Sequence, residues 1–542
     1  MDLSYTSFKF FTFVFLIICV YFLFPQKKYQ WTVLLTGSYV FYLLAGYRYA
    51  AFLLFTTITT YASALVIDRI AAKAKAELKL HKQEWDKEQK KAYKAQIGRK
   101  KRLIMVISLV ANFGILGFLK YFNFFAGSLN DLLAVGGIAF SVPALKLILP
   151  LGISFYTFQS MGYLVDVYRE KISAERNLAK FALFVSFFPQ IIQGPISFYD
   201  QLALQLYEEH RFSFTRLKHG CELILWDLVK KVVIADRAII AINVALESIE
   251  GFGGTTLSFA LLLYALQLYA DFSGGIDISR GVSQILGIEL AHNFRRPYFA
   301  TSIDDYWRRW HITLGAWMKE YVFYPLALSK GFTGVSKKIK ASSFGKTKAG
   351  AHLAKVLPTS FASLIVFLLV GIWHGANWKY VGFGLWNGGV IMLSTILEPQ
   401  FQALTKLLRI RVESLWFRIF QMVRTFFIVL VGYVFDIAPS FGGAVYMIRK
   451  MLFHQNLAQF KVEFASLELN KYDYLIILAG MMVLFSVSLV QERNSDTTLR
   501  HILDRKPFFV RYLLILLAIL VLLVFGIYGA GYDPAAFVYM QF

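Results

Sequence analysis

Long apolar runs alternate with short, strongly basic stretches along most of this chain. Phe10–Phe24, Trp31–Ala45 and Ala50–Val66 contain no charged side chain, and each is close to the length of one bilayer crossing. Further runs lie at Leu103–Phe122, Phe361–Trp373, Tyr380–Ile396, Ile419–Phe435, Tyr474–Leu489 and Tyr512–Ile527. This pattern predicts a polytopic all-α membrane protein with 11 to 13 membrane elements. The short N-terminal flank carries a single lysine, Lys9, and no small-residue cleavage pattern follows. The first run therefore reads as a retained span rather than a signal peptide.

Two segments break the helical pattern in informative ways. Leu147–Val167 is apolar but holds Gly152, Ser154, Thr157, Gln159, Ser160 and Asp166. Such residues are costly against lipid, so this segment is expected to face protein or a water-filled cavity. Between Phe181 and Lys330, apolar stretches mix with Pro189, Gly194, Pro195, Gly274, Gly275, Pro297 and many charges. Re-entrant and in-plane helices are expected there, because broken backbone at membrane depth must be satisfied by protein or water.

Charge sets the orientation. Residues 69–102 hold 13 Lys/Arg against four acidic residues, and 331–356 hold six Lys and no acid. The first reads as a helical, water-exposed hairpin and the second as a loop. Cytoplasmic placement of both follows from the positive-inside rule and puts the two termini outside. The whole chain of 542 residues is a single membrane domain with a tail at 528–542. Its formal charge of +23 is then a topological signal, and no nucleic acid partner is implied. Membrane lipid is the expected surrounding. With hydrophobic residues at 57% and charged residues at 17%, a soluble enzyme and a disordered chain are both excluded. Cys19 and Cys221 are too few for a disulfide scaffold, and no metal-ligand cluster is visible.

Most of the nine histidines sit in charged or loop contexts. His374 is different: it ends the apolar run Phe361–Trp373 and opens His374-Gly375-Ala376-Asn377-Trp378. It is either a packing residue at a helix end that Asn377 satisfies, or a group facing a cavity. His311 lies in Asp304-Asp305-Tyr306-Trp307-Arg308-Arg309-Trp310-His311. A helix capped by Asp304 would bring Trp307, Trp310, His311 and Leu314 to one face. An interfacial aromatic belt accounts for the tryptophans but poorly for the histidine. No nucleophile elbow, zinc-protease motif, Walker A sequence or dinucleotide fingerprint occurs. What remains is a pair of membrane-associated imidazoles, which can take a proton from a hydroxyl attacking an activated acyl carbon.

At these residues the chain resembles the membrane-bound O-acyltransferase (MBOAT) family. The resemblance is nearest to the bacterial branch containing alginate O-acetyltransferase and teichoic acid D-alanyltransferase. It rests on Leu151–Gln159, Asp166-Val167-Tyr168-Arg169, Phe187–Gln190, Gln193–Ile196, Asn293-Phe294, Arg296-Pro297-Tyr298, Trp307–Leu314 and Trp373–Trp378, in that order. It implies helices around a central funnel, with His374 as the main catalytic residue and His311 as the second. It also implies an acyl donor that is a cytoplasmic thioester, acetyl-CoA or an acyl carrier protein, with no tightly bound cofactor and no metal. The acceptor would be a secreted or cell-wall glycan outside a bacterial cell membrane, reached through an extracytoplasmic SGNH-type partner. Two departures from the family pattern bear on the acceptor: Phe272-Ser273-Gly274-Gly275-Ile276-Asp277, and Tyr433-Val434-Phe435-Asp436 after Arg424-Thr425. The tail Phe537-Val538-Tyr539-Met540-Gln541-Phe542 also resembles the family's acyl-shuttling tails. Tyr539 is then an acyl carrier, with aromatic anchoring as the alternative. D-alanyl transfer toward teichoic acid is the second reading within the class, and a polysaccharide or lipid transporter is the reading from another class.

Overall fold

The computed structural model describes residues 5–138, 140–494 and 497–528. It is 79% helical and contains no strand among the described residues. Among the described residues, seven helices are long and apolar enough to cross a membrane, or eight if Trp378–Ile396 and Glu398–Leu407, bent by 61°, form one broken span. The count falls below the expected 11 to 13 because several elements are short. Phe8–Leu23, Leu178–Ile191 and the polar helix Ile153–Tyr168 are among them.

The first basic stretch is helical on both sides of a turn at residues 81–86, the expected hairpin. Ala50–Leu80 runs on through it for 31 residues, and Lys87–Val135 continues for 49. At about 1.5 Å per residue the second is roughly 70 Å long, more than twice a hydrocarbon core. Lys, Glu, Gln and Ala are good helix formers, so the apolar helices extend into the charged segment. Asp86 starts the second helix with a capping box to Gln89.

The described residues divide into two compact units, one of 5–223 with 278–291, the other of 224–277 with 292–528. In the first unit, Ser154, Thr157, Gln159, Ser160 and Asp166 are all buried, as their polarity required. Gln159 donates to the Phe184 carbonyl at 2.6 Å and accepts from Gln190 at 2.6 Å. Cys19 and Cys221 are free thiols.

The second unit holds both candidate histidines. It begins with an unusual element: Val229–Ala235 is a π-helical segment carrying Lys230 and Lys231, each almost wholly buried. Lys231 binds Asp271 at 2.6 Å and Asp236 at 2.8 Å. Lys230 binds Asp277 at 2.8 Å and donates to Ser273 at 2.9 Å. A single apolar face of the same segment, Val233, Ile234 and Ala235, packs with Ala270 and Leu484 and against Val521 and Leu522. One short element is thus tied to the helix Gly254–Leu286 by charge, and to the helices Lys471–Arg493 and Phe508–Phe525 by apolar contact. The segment 331–356, expected as a loop, begins as a helix, Lys330–Ala341, capped by Ser329.

Candidate active site

The helix Lys348–His374 ends at His374, and Trp378–Ile396 follows after a short turn capped by Asn377, whose side chain accepts from the Lys379 amide at 3.0 Å. The two helices pack as a close hairpin. A Cβ at Gly384 would sit 2.9 Å from Leu368 Cα, and one at Gly371 would strike the Tyr380 carbonyl, so glycine is needed for the approach. This hairpin buries His374 to 7% exposure against Phe383, at 5.2 Å between ring centroids, and Tyr380, at 6.2 Å.

His311 sits at a break rather than on a continuous helix. The helix Ile303–Arg309 starts on Ser302, whose hydroxyl accepts from the Asp305 amide, and not on Asp304. It stops at Trp310, and a new helix, Ile312–Met318, begins after His311. The cause is a short bridge: Phe294 pairs with Trp310, Arg295 donates to the Arg309 carbonyl at 2.8 Å, and Ile312 donates to the Asn293 carbonyl at 3.0 Å. His311 is left with φ 47°, a left-handed conformation that a non-glycine residue holds only when its surroundings enforce it. The expected single aromatic face is therefore split, with Trp307 packed on Phe367 and Phe383, and His311 on Phe272.

Trp373 joins the two histidines. Its ring centroid lies 5.9 Å from that of His311 and 5.3 Å from that of His374. Phe272 closes the His311 ring from another side at 4.9 Å. Burial at 1% exposure lowers the His311 pKa to about 3, with the nearby His374 adding to the shift, so this imidazole is neutral. Its Nδ1 lies 3.4 Å from the Asn293 Oδ1 acceptor, a contact that is a hydrogen bond in the tautomer with the ring proton on Nδ1.

Both departures from the family pattern lie in the protein interior. Ser273 and Asp277 hold Lys230, and Gly274 lies against the Asp227 carboxylate, where a Cβ would collide. Asp436 is buried and accepts from Tyr264 at 2.6 Å, so it is not a surface charge. Tyr433 meets Tyr306 at 2.7 Å between hydroxyls and Tyr298 at 3.3 Å. Motif reading quoted Asn293 and Phe272 but gave neither a role, and it did not single out the buried Lys–Asp network. Asp227 and the paired lysines in the mostly apolar stretch 223–234 were the available signal. Tyr539 lies outside the described residues. Among the described residues, no group of three or more His, Cys, Asp or Glu has metal-holding geometry.

Residues 167–342 match the sequence profile of the family described as "MBOAT, membrane-bound O-acyltransferase family". A probable alginate O-acetylase from Azotobacter vinelandii is 31% identical over 425 residues, covering 78% of this chain and 72% of that protein. A peptidoglycan O-acetyltransferase from Helicobacter pylori is 34% identical over 55% of this chain and 56% of its own. A teichoic acid D-alanyltransferase from Bacillus subtilis is 24% identical over 55% of this chain and 71% of its own. The histidine pair therefore lies in a multi-pass membrane acyltransferase, and the chain belongs to the membrane-bound O-acyltransferase family.

Proposed function

We propose that this chain takes an acyl group, most simply acetyl, from a cytoplasmic thioester and passes it across a bacterial cell membrane for O-acylation of a secreted or cell-wall polysaccharide. The observation that carries the reading is the pair His311 and His374, buried on either side of Trp373 at a helix end and a backbone break. His374 is the general base. It takes the proton of the attacking hydroxyl and returns it to the departing thiolate. His311, across Trp373 from His374, shapes the site around that hydroxyl. Acetyl is preferred to D-alanyl because the two more similar relatives are named for acetyl chemistry.

The hydroxyl that attacks first is that of Tyr539 on the tail. A phenol with a pKa of about 10 leaves more readily than a sugar hydroxyl, so a tyrosyl ester remains activated for a second transfer. An extracytoplasmic SGNH-type acyltransferase completes delivery to the glycan. Acetyl-CoA is the simplest donor, and an acyl carrier protein is the alternative donor. Basic residues of 69–102 and 331–356 face the cytoplasm, and both termini lie outside.

The test is label transfer. Purified chain in liposomes, given acetyl-CoA labelled in the acetyl group, is expected to acquire an alkali-labile adduct on the tail peptide. Label that crosses the bilayer without ever becoming covalently attached would favour a transporter. Tyr539→Phe keeps the ring and removes only the oxygen. Normal glycan acylation in that variant would reduce the tail to an aromatic anchor.

A further inference from the structure

The site just described holds two imidazoles that accept protons, yet acyl transfer also needs a donor where negative charge develops on the carbonyl oxygen. Asn293 is placed to be that donor. It lies in the extended segment between the helix Gly254–Leu286 and the bridge to Trp310, and it is 1% exposed. Its Oδ1 accepts from the Thr313 amide at 2.9 Å and the Thr313 hydroxyl at 2.9 Å, and faces His311 Nδ1 at 3.4 Å. A backbone amide only donates, so the atom facing it must be the oxygen. That settles which way the carboxamide is turned. Nδ2 then occupies the other position on the same carbon. It is buried with no hydrogen-bond partner among the described residues. A buried amide nitrogen with no protein partner is costly, and it marks a place where a ligand atom or an ordered water belongs.

Thr313 holds the carboxamide rigid from the opposite side, so the donor needs no reorganisation when charge appears. The same three residues, Asn293, His311 and Thr313, are held by the strained turn at His311. We propose that Asn293 Nδ2 is a catalytic hydrogen-bond donor to the carbonyl oxygen of the thioester acyl group, the oxyanion contact of the transfer reaction. The inference rests on the acyltransfer reading above. In the step, the acceptor oxygen bonds to the acyl carbon and its proton passes to His374. The carbonyl electron pair moves onto oxygen, where Asn293 Nδ2 donates. The pair then returns, the carbon–sulfur bond breaks, and the thiolate takes the proton from His374.

Two substitutions separate a donor from a structural tie. Asn293→Asp retains the acceptor that Thr313 needs and removes the amide donor, whereas Asn293→Leu removes both. Full-length protein in liposomes is assayed for thiol release from acetyl-CoA. Both variants are expected to lose about a hundred- to a thousand-fold in kcat, with the donor KM changed by less than about threefold, as for removal of one oxyanion donor. A tie between segments predicts instead that Asn293→Asp stays within a few-fold of wild type while Asn293→Leu fails. That result would overturn the inference, as would the case in which Nδ2 merely holds a buried water. No His374-dependent turnover in wild type would remove the acyltransfer reading itself, and the inference with it. Should Asn293→Asp not fold, the infrared carbonyl stretch of carbon-13-labelled acetyl-CoA bound to the His374→Ala protein gives the second measurement. A stretch lowered below its value in an apolar solvent is expected, and an unlowered stretch contradicts the contact.

Discussion

Replacing Lys231 by Met tests whether the buried charge network holds the active site in place. Lys231 is 1% exposed and Asp271 is fully buried, with 2.6 Å between their charged atoms. At an effective dielectric of 20, that separation corresponds to about 6 kcal/mol of attraction, most of it offset by the cost of removing both charges from water. Removing only the lysine takes away the cation that binds both Asp271 and Asp236. Breaking such a pair costs about 3–5 kcal/mol. Replacing Asp271 as well should return most of that, since a buried pair and an apolar pair of similar volume are nearly equal in stability. Phe272, adjacent to Asp271, packs on His311 at 4.9 Å, so the single variant should also lose transfer activity. The assay is thermal unfolding in detergent, followed by loss of monodisperse protein, alongside thiol release from acetyl-CoA. Lys231→Met is expected to unfold at a clearly lower temperature, and Lys231→Met with Asp271→Leu to recover much of the loss. A single variant as stable as wild type, or a double variant worse than the single, would refute the reasoning.

Other outcomes follow from the same geometry. Because burial lowers the His311 pKa to about 3, this ring stays neutral between about pH 5 and 9. His311→Ala should therefore reduce kcat by roughly a hundred-fold or more while leaving the acid limb of the pH–rate profile where it is. A shifted limb would assign that titration to His311. Gly384→Val places branched carbons against the Leu368 backbone, should cost about 1–3 kcal/mol and should displace His374. Normal activity with normal thermal stability would contradict the close hairpin. Cysteines introduced at Lys90 and Gly345 should resist an impermeant thiol reagent in intact cells, and labelling at either would reverse the proposed orientation.

The outline of the fold was legible in the sequence because apolar runs of bilayer length carry their own signal, and because the polarity of Ser154, Gln159 and Asp166 already required an interior location. Other features depend on tertiary partners that no local pattern records. Hydropathy stops at the first lysines, so the extension of Ala50–Leu80 and Lys87–Val135 into the basic segment had to come from helix propensity. Trp307, Trp310, His311 and Leu314 share a helical spacing, but the bridge from Phe294 breaks that helix at His311. The same bridge brings Asn293 to the His311 ring, 18 residues away in sequence. Gly274 reads as loss of a side chain until Asp227 is seen to fill the space. The burial of the two histidines was legible for another reason: a lipid-facing helix has no use for an imidazole.

The central claim is that His374 moves the proton of acyl transfer. The direct measurement is the single-turnover rate of acyl loss from acetyl-CoA by the full-length His374→Ala protein in liposomes, at a concentration that saturates wild type. The expected result is loss of nearly all transfer, at least about a hundred-fold, with thermal stability and donor binding close to wild type. Transfer within a few-fold of wild type by a folded His374→Ala protein would contradict the claim and leave His374 as a packing residue at the end of its helix.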